Sequence, residues 1–352
     1  MFRTRVTDLL GIKYPILLGG MTMNGNGELA AAVSNGGGLG VVAQNPGWSD
    51  KSVRVDTVRR HIRLARELTD KPIGANLTVM LIDEYTQSHL AMLIEEKVDV
   101  VTTSGGNPRK VLPYLKDAGI KTICIVANVR QAVSAQEAGA DMVVCEGYEA
   151  GGLEGADELT TMVLTPLVAN AVDIPVIAAG GIGTGRSFMA AMALGAEGVQ
   201  MGTAFLPTVE CNAHQNTKNA IVASGDVASL IMHRSTGVLS RVLKTEFTKK
   251  VHELDKRNEL DELRALMGGG QRADKDKPEA FNRAYRGQML GDLESGYTAV
   301  GQVAGLLKEI KPAAQVIADI IAEAETIAHH WAAKCDASLA PSAGDAPAKL
   351  GA

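Results

Sequence analysis

Glycines at the ends of short apolar runs are the residues of this chain whose spacing best suits binding chemistry. Between Pro175 and Phe205, in PVIAAGGIGTGRSFMAAMALGAEGVQMGTAF, one apolar run ends in Gly180-Gly181 and another in Met201-Gly202-Thr203. Small residues at such ends leave backbone N–H groups uncovered, and two neighbouring turns of this kind form a cradle that a phosphate can approach closely. A further run ends in Glu146 and continues as Gly147-Tyr148-Glu149-Ala150-Gly151-Gly152-Leu153-Glu154-Gly155. A carboxylate there suits hydroxyls that donate to it, and the glycines let the loop fold across a ring. Gly19-Gly20-Met21-Thr22-Met23 reads either as a tight turn with core methionines or as a polarizable wall against a flat ligand. Asn76, among apolar neighbours, reads either as a satisfied structural amide or as a partner for a ligand edge with both donors and acceptors.

Positioning these groups requires strands that all end on one side. Short apolar runs bounded by Gly, Pro, Asn or Asp occur at Pro15 to Leu18, Gly38 to Ala43, Pro72 to Leu77, Val98 to Thr103, Thr122 to Val126, Met142 to Cys145, Val176 to Ala179 and Gly198 to Met201. Helical periodicity fills the segments between, as in Val58 to Leu68, Ser88 to Glu96 and Val129 to Ala138, so the sheet is expected to be parallel. Eight such runs predict an α/β fold, a (β/α)₈ TIM barrel, with the phosphate cradle at strands seven and eight where barrels commonly hold one. An open doubly wound sheet would give similar alternation, and the count together with the cradle favours the barrel.

At 352 residues the chain exceeds one barrel, so an added domain is expected. Hydrophobic residues make up 46%, aromatics 4%, and there are 38 glycines, which suits an aliphatic core with many tight turns. A formal net charge of −5 without a dense Lys/Arg cluster argues against a nucleic-acid partner. No run of about 18 apolar residues occurs, and charges occupy the place of a signal-peptide core, so no membrane partner and a cytoplasmic location are expected. Cys124, Cys145, Cys211 and Cys335 lack CxxC or Cys/His ligand spacing, so neither a disulfide framework nor a metal site is expected.

GGM after strand one, the Asn of strand three, TTSGGNP after strand four, EGYEAGG after strand six, AAGGI after strand seven and VQMGTAF at strand eight, in this order, resemble the FMN-dependent nitronate monooxygenase (2-nitropropane dioxygenase) family. Within it the likeness is greatest to FMN-dependent enoyl-ACP reductases and NADH:quinone reductases. It extends through ECNAHQNTK at Glu210 to Lys218 and GQVAGLL at Gly301 to Leu307, roughly residues 1 to 333. The resemblance implies FMN, with its ring against Gly20, Met21 and Thr22, Asn76 at the polar edge, and Glu146 on ribityl or neighbouring hydroxyls. Gly180, Gly181, Met201, Gly202 and Thr203 would hold the phosphate end. NAD(P)H is expected only as a transient co-substrate, because GGGLG does not fit the GxGxxG spacing of a tight dinucleotide site.

Two departures from the family pattern bear on the reaction. The family commonly carries His in the strand-six loop, as AGGH, and assigns it proton transfer; Leu153 stands there and can transfer none. Leu18 stands where a Gln often precedes GGM. Tyr148, Glu149 and Glu154 in the same loop are candidate replacements, since a carboxyl in an apolar pocket can have its pKa raised toward neutrality. His233 is a further candidate if the added domain folds over the mouth. The reactions expected are NAD(P)H-dependent reduction of an enoyl thioester or quinone, oxidation of alkyl nitronates by oxygen, or flavin binding with impaired catalysis. Partners are then a small-molecule or thioester substrate, with a homodimer left open.

Residues 207–298 break the barrel rhythm and are expected to form a mostly helical lid, with Gly268 to Ala280 as a mobile loop. A last helix, Ala299 to Lys334 with a break at Pro312, is expected to return to the barrel, which thus comprises 1–206 and about 299–335. The tail 336–352 is small-residue and Pro-containing, and is expected to be disordered.

Overall fold

Strands buried on both faces are continuous apolar runs, because helices cover one side and the barrel interior the other. The computed structural model, which describes residues 2–48, 53–268 and 282–335, turns the eight runs into eight parallel strands. These are β1 (Ile16–Leu18), β2 (Gly40–Val42), β3 (Ile73–Thr78), β4 (Val100–Ser104), β5 (Lys121–Val126) and β6 (Met142–Glu146). A two-residue β7 (Gly152–Leu153) intervenes before the seventh and eighth barrel strands, β8 (Val176–Ala179) and β9 (Gly198–Met201). The ladder runs β2-β3-β4-β5-β6-β8-β9-β1, and a parallel bridge between Leu17 and Leu39 brings β1 back to β2. The fold is a (β/α)₈ TIM barrel. The expected loop from Gly268 to Ala280, beyond Gly268 itself, and the tail 336–352 lie outside the described residues, as does part of the loop after β2.

Outer helices follow from their apolar stripes. In Arg54–Leu68 the buried residues are Thr57, Val58, Ile62 and Ala65, one face of a 3.6-residue period. In Gly185–Ala193 the Thr184 and Ser187 side chains form a capping box that starts the helix just beyond the glycine turn after β8. The last helix begins at Ala313, not Ala299, and ends at Lys334. Pro312 is its N-cap residue, and Gln302–Leu306 is a separate 3₁₀ turn. Buried Ile317, Ile320 and Ala324 join the barrel core, and Glu323 accepts a 2.6 Å hydrogen bond from the Gly185 N–H.

Between β9 and that helix the chain is mostly helical, but it also contains two strands. β10 (Ser229–Met232) pairs antiparallel with β11 (Ser240–Leu243), and β11 pairs with β7 of the sixth-strand loop. Met232, Val242, Phe247, Val251, Leu254 and Leu263 form a separate small core there. A shared sheet therefore joins the barrel loop to the added region.

His89, placed by its periodicity on an outer helix (Glu84–Glu95), is fully buried, and neither ring nitrogen has a hydrogen-bond partner among the described residues. Burial, reinforced by the Arg54 charge, lowers its pKa to about 3. The unfolded chain binds a proton at this histidine below about pH 6.5, whereas the native state refuses it down to about 3. Stability at this site is therefore complete above pH 6.5 and falls with acid at roughly 1.4 kcal/mol per pH unit. Urea unfolding of wild type and His89→Leu at several acidic pH values is expected to show the variant's slope reduced by about one proton. Equal slopes would mean that native His89 does protonate.

Candidate active site

At the C-terminal ends of the barrel strands lies a cavity of about 940 Å³. This is at the upper end of the roughly 300–1,000 Å³ typical of small-molecule and cofactor sites. Its wall after β1 contains Gly20, Met21 and Thr22, and Asn76 reaches it from β3. A Cβ on Gly20 would lie 2.6 Å from Asn76 Cγ, so only glycine lets this turn rest on the amide. The Asn76 amide nitrogen donates to the Thr102 carbonyl at 3.2 Å and lies 3.0 Å from the Thr102 hydroxyl, which fixes its orientation. Gly180, Gly181, Met201, Gly202 and Thr203 line the opposite end. Gly180 has φ +96° and Gly181 φ +73°, backbone angles that side chains oppose.

The strand-six loop is held down by Glu149. Its Oε2 accepts from the Thr161 backbone N–H at 2.8 Å, at the start of the helix Thr161–Ala171, and lies 3.0 Å from the Thr161 hydroxyl. That hydroxyl is also 2.9 Å from the Gly180 carbonyl oxygen. The Glu149 backbone carbonyl accepts from Gln302 N–H at 2.9 Å, and the neighbouring Gly301 N–H donates to the Thr203 hydroxyl at 2.8 Å. Glu149 and Thr161, through side chains and backbone, thus tie together the loop after β6, the turn after β8 and the segment before the last helix.

Glu146 and Glu154 also belong to the residues that line the cavity. Burial pushes Glu146 up to about 7. Burial first, then the nearby Glu146 carboxylate, pushes Glu154 up to about 9 against the opposing pull of Arg241. The Glu154 side chain, just beyond β7, is 1% exposed, while Leu153 beside it is exposed.

The other candidates lie elsewhere. Tyr148 is not among the lining residues: its ring covers the Arg241 guanidinium at 4.8 Å and its hydroxyl accepts from Arg234, which pairs with Glu158. His233 is also outside the lining, half-buried at a left-handed turn whose following backbone N–H groups donate to Asp255; burial lowers its pKa. The added region covers the mouth through Gln288 instead.

Two polar residues escaped the sequence reading. Gln200 on β9 is 8% exposed, lines the cavity, and its Oε1 has no hydrogen-bond partner among the described residues. It pairs with Leu17 in the ladder, so an amide enters the cavity from β9 next to the strand where Leu18 stands. Arg241, buried on β11, donates from Nε and Nη2 to the Tyr148 carbonyl at 3.1 and 2.8 Å. Their signals were a lone amide in an apolar strand and a lone charge in SRVL. Among the described residues no acidic, His or Cys cluster could hold a metal, and no helix is long and apolar enough to cross a membrane.

A parallel barrel with glycine turns around a cavity at the strand ends defines a TIM-barrel enzyme site. The chain belongs to the nitronate monooxygenase family, whose family model matches residues 3–88 and 82–323, and it is an oxidoreductase. The structure of FabK from Thermotoga maritima is similar with a TM-score of 0.84 at 41% identity, covering 95% of this chain and 100% of that one. A nitroalkane oxidase from Streptomyces ansochromogenes gives 0.76 at 26%, covering 92% and 99%. A probable nitronate monooxygenase of Staphylococcus saprophyticus is 36% identical over 295 residues, 72% of this chain and 81% of that protein. The (3aS,4S,5R,7aS)-5-hydroxy-7a-methyl-1-oxo-octahydro-1H-indene-4-carboxyl-CoA dehydrogenase of Rhodococcus jostii is 30% identical over 353 residues, covering 92% and 96%. The family is one of flavin enzymes.

If Glu149 acts as the tie described, Glu149→Ala leaves the Thr161 N–H without its carboxylate and is expected to destabilise the protein by about 1–3 kcal/mol. Thermal unfolding reads this directly. An unchanged midpoint would remove Glu149 from the structural role.

Proposed function

We propose that this chain binds FMN and uses NAD(P)H to reduce an electron-poor acceptor, an enoyl thioester or a quinone. The observation that carries the reading is the cavity itself, which joins a glycine-rich phosphate end at β8 and β9 to a polar edge at Asn76 and Gln200. An unpartnered buried amide oxygen on a residue that lines the cavity calls for a donor, and a flavin ring edge has one. Similarity to FabK at 41% identity over nearly the whole of both chains supports a reductase, and the dehydrogenase from Rhodococcus, named for a carboxyl-CoA compound, supports a thioester.

In this reading the backbone around Gly180, Gly181, Met201, Gly202 and Thr203 holds the phosphate. Gly20, Met21 and Thr22 lie against the ring, and Asn76 meets its polar edge. Glu146 accepts from ribityl hydroxyls, which would favour its ionised form against burial. Bound FMN would supply hydride transfer at N5. The protein's part is to orient the acceptor and exclude water, with Gln288 and β7 narrowing the mouth. NAD(P)H enters and leaves as a co-substrate.

A second reading, oxidation of alkyl nitronates by oxygen, is favoured by the similarity to the Staphylococcus protein and by Leu153 in the family's histidine position. An ionised nitronate needs no base, so this reading expects activity on nitronates and none on neutral nitroalkanes.

Anaerobic stopped-flow mixing with NADH, NADPH or a nitronate separates these readings. Rapid bleaching of the flavin band by a nicotinamide is expected. Bleaching by the nitronate alone would favour the second reading, and bleaching by none would leave a catalytically impaired flavin binder. Absence of a flavin band after adding FMN would overturn the cofactor.

Gly180→Ala tests the phosphate end. Its Cβ would lie 2.7 Å from the Gly147 carbonyl oxygen at φ +96°. FMN affinity is expected to fall at least tenfold, about 1.4 kcal/mol, by fluorescence titration; unchanged affinity would move the phosphate elsewhere.

A further inference from the structure

We propose that Glu154 is the proton donor of this cavity, delivering its proton to carbon when an enoyl thioester is reduced. The proposal rests on the FMN-dependent reductase reading above.

Position comes first. Glu154 lines the cavity, and its backbone N–H is anchored to the Leu239 carbonyl at 3.0 Å in the sheet that joins the loop to the added region. Its backbone therefore sits on a fixed support. The other loop groups are occupied: Glu149 is bound to Thr161, Tyr148 faces Arg234, and Leu153 carries no proton.

Hydrogen bonding explains why the proton stays on. Glu154 Oε1 is buried and has no hydrogen-bond partner among the described residues. Arg241 lies 3.6 Å away, beyond hydrogen-bond range, and its Nε and Nη2 groups donate to the Tyr148 carbonyl while Nη1 reaches Ser229. The guanidinium offers Glu154 a charge without a donor. A carboxylate in that place would lose its water and gain no hydrogen bond in return, whereas a carboxylic acid brings its own proton.

The charges facing this group come from three elements. Glu146 at the end of β6 and Glu149 in the loop raise its pKa, and Arg241 on β11 lowers it. Burial and the two carboxylates outweigh the single cation. When Glu146 is ionised on hydroxyl donors, its charge holds the Glu154 proton more firmly.

The step balances as follows. A hydride from a reduced flavin adds to the β-carbon of the enoyl thioester, and the C=C π pair moves toward the α-carbon. That pair takes the Glu154 proton, so one C–H bond forms as the O–H bond breaks. The acceptor gains two electrons and is reduced, the flavin is oxidised, and the Glu154 carboxylate regains a proton from water at the mouth. A quinone differs because its protons arrive at oxygen, where water suffices.

The test uses Glu154→Gln holoenzyme. Infrared difference spectra of wild type minus Glu154→Gln, with and without FMN at neutral pH, are expected to show a protonated-carboxyl C=O band. Its absence would overturn the proposal without reference to any activity. For kinetics, both proteins are reduced with dithionite under anaerobic conditions and mixed with crotonyl-CoA or menadione. The ratio of thioester to quinone reoxidation rates is expected to fall at least ~100-fold in the variant. The wild-type thioester rate is expected to fall as pH rises through the Glu154 pKa, and that limb to vanish in the variant. Wild-type enzyme that the thioester cannot reoxidise would overturn the acceptor reading and the proposal with it. Wild-type enzyme that reoxidises, with an unchanged ratio in Glu154→Gln, would overturn the proposal alone.

Discussion

The contact between the Glu149 carboxylate and the Thr161 N–H is the constraint on which the rest of the site depends. A helix N-terminus has unsatisfied donors and a partial positive charge, so a carboxylate brought to it through space is doubly favoured. Here that carboxylate belongs to the loop after β6. By holding it, the protein fixes where Gly147 and Gly152 pass. It also fixes which side of the following strand faces inward. Through the Thr161 hydroxyl the same contact reaches the Gly180 carbonyl, and through the Glu149 carbonyl it reaches Gln302. Loss of the carboxylate contact would leave only the Thr161 hydroxyl on the turn after β8 and only a backbone bond to the covering segment.

From that constraint follows the electrostatic division of the loop. Three glutamates lie within nine residues, and they differ in what surrounds them. Glu149 has donors in the Thr161 backbone N–H and hydroxyl. Glu146 faces the cavity, where hydroxyls of a bound molecule would serve it. Glu154 has neither, because β11 directs Arg241 toward the Tyr148 carbonyl. Three residues of one type thus acquire three roles from the donors around them. Composition alone could not distinguish them.

The barrel was legible because its signal is local. Strands buried on both faces must be apolar throughout and must end where the backbone turns, so β8 and β9 fall at the predicted residues and the others within a few. The sheet of β7, β10 and β11 was not legible. β7 is two residues long, and SLIM and SRVL lie in a region whose charged helices dominate the pattern. Pairing between segments some 90 residues apart leaves no period in either. The same limit hid Arg241, whose partner is a distant carbonyl, and Gln200, whose face depends on the barrel's closure. His89 falls on an outer helix as its periodicity indicates, and only the packing shows that it is buried there. The last helix was drawn too long because VGQVAGLLKEI is apolar enough for a helix. Its backbone instead bonds to Thr203 and Glu149 across the mouth.

In the reductase reading proposed above, Leu153 transfers no proton, and the proton chemistry of the cavity falls to its carboxyl groups. A histidine near its ordinary pKa is partly neutral at pH 7 and can both take and give a proton. A buried carboxylic acid already holds its proton at that pH, so it can give one but has no empty site with which to abstract one from a carbon. Removing a proton from a neutral nitroalkane would require Glu154 to ionise first, at the cost of an unsolvated charge beside Glu146. Giving a proton to a reduced alkene leaves the same Glu154 carboxylate, and in either direction Arg241 faces it from 3.6 Å away. The guanidinium that cannot hydrogen-bond the resting acid is well placed for the product of its reaction. Both the missing donor and the nearby cation therefore come from one arrangement of β11 against the sixth-strand loop.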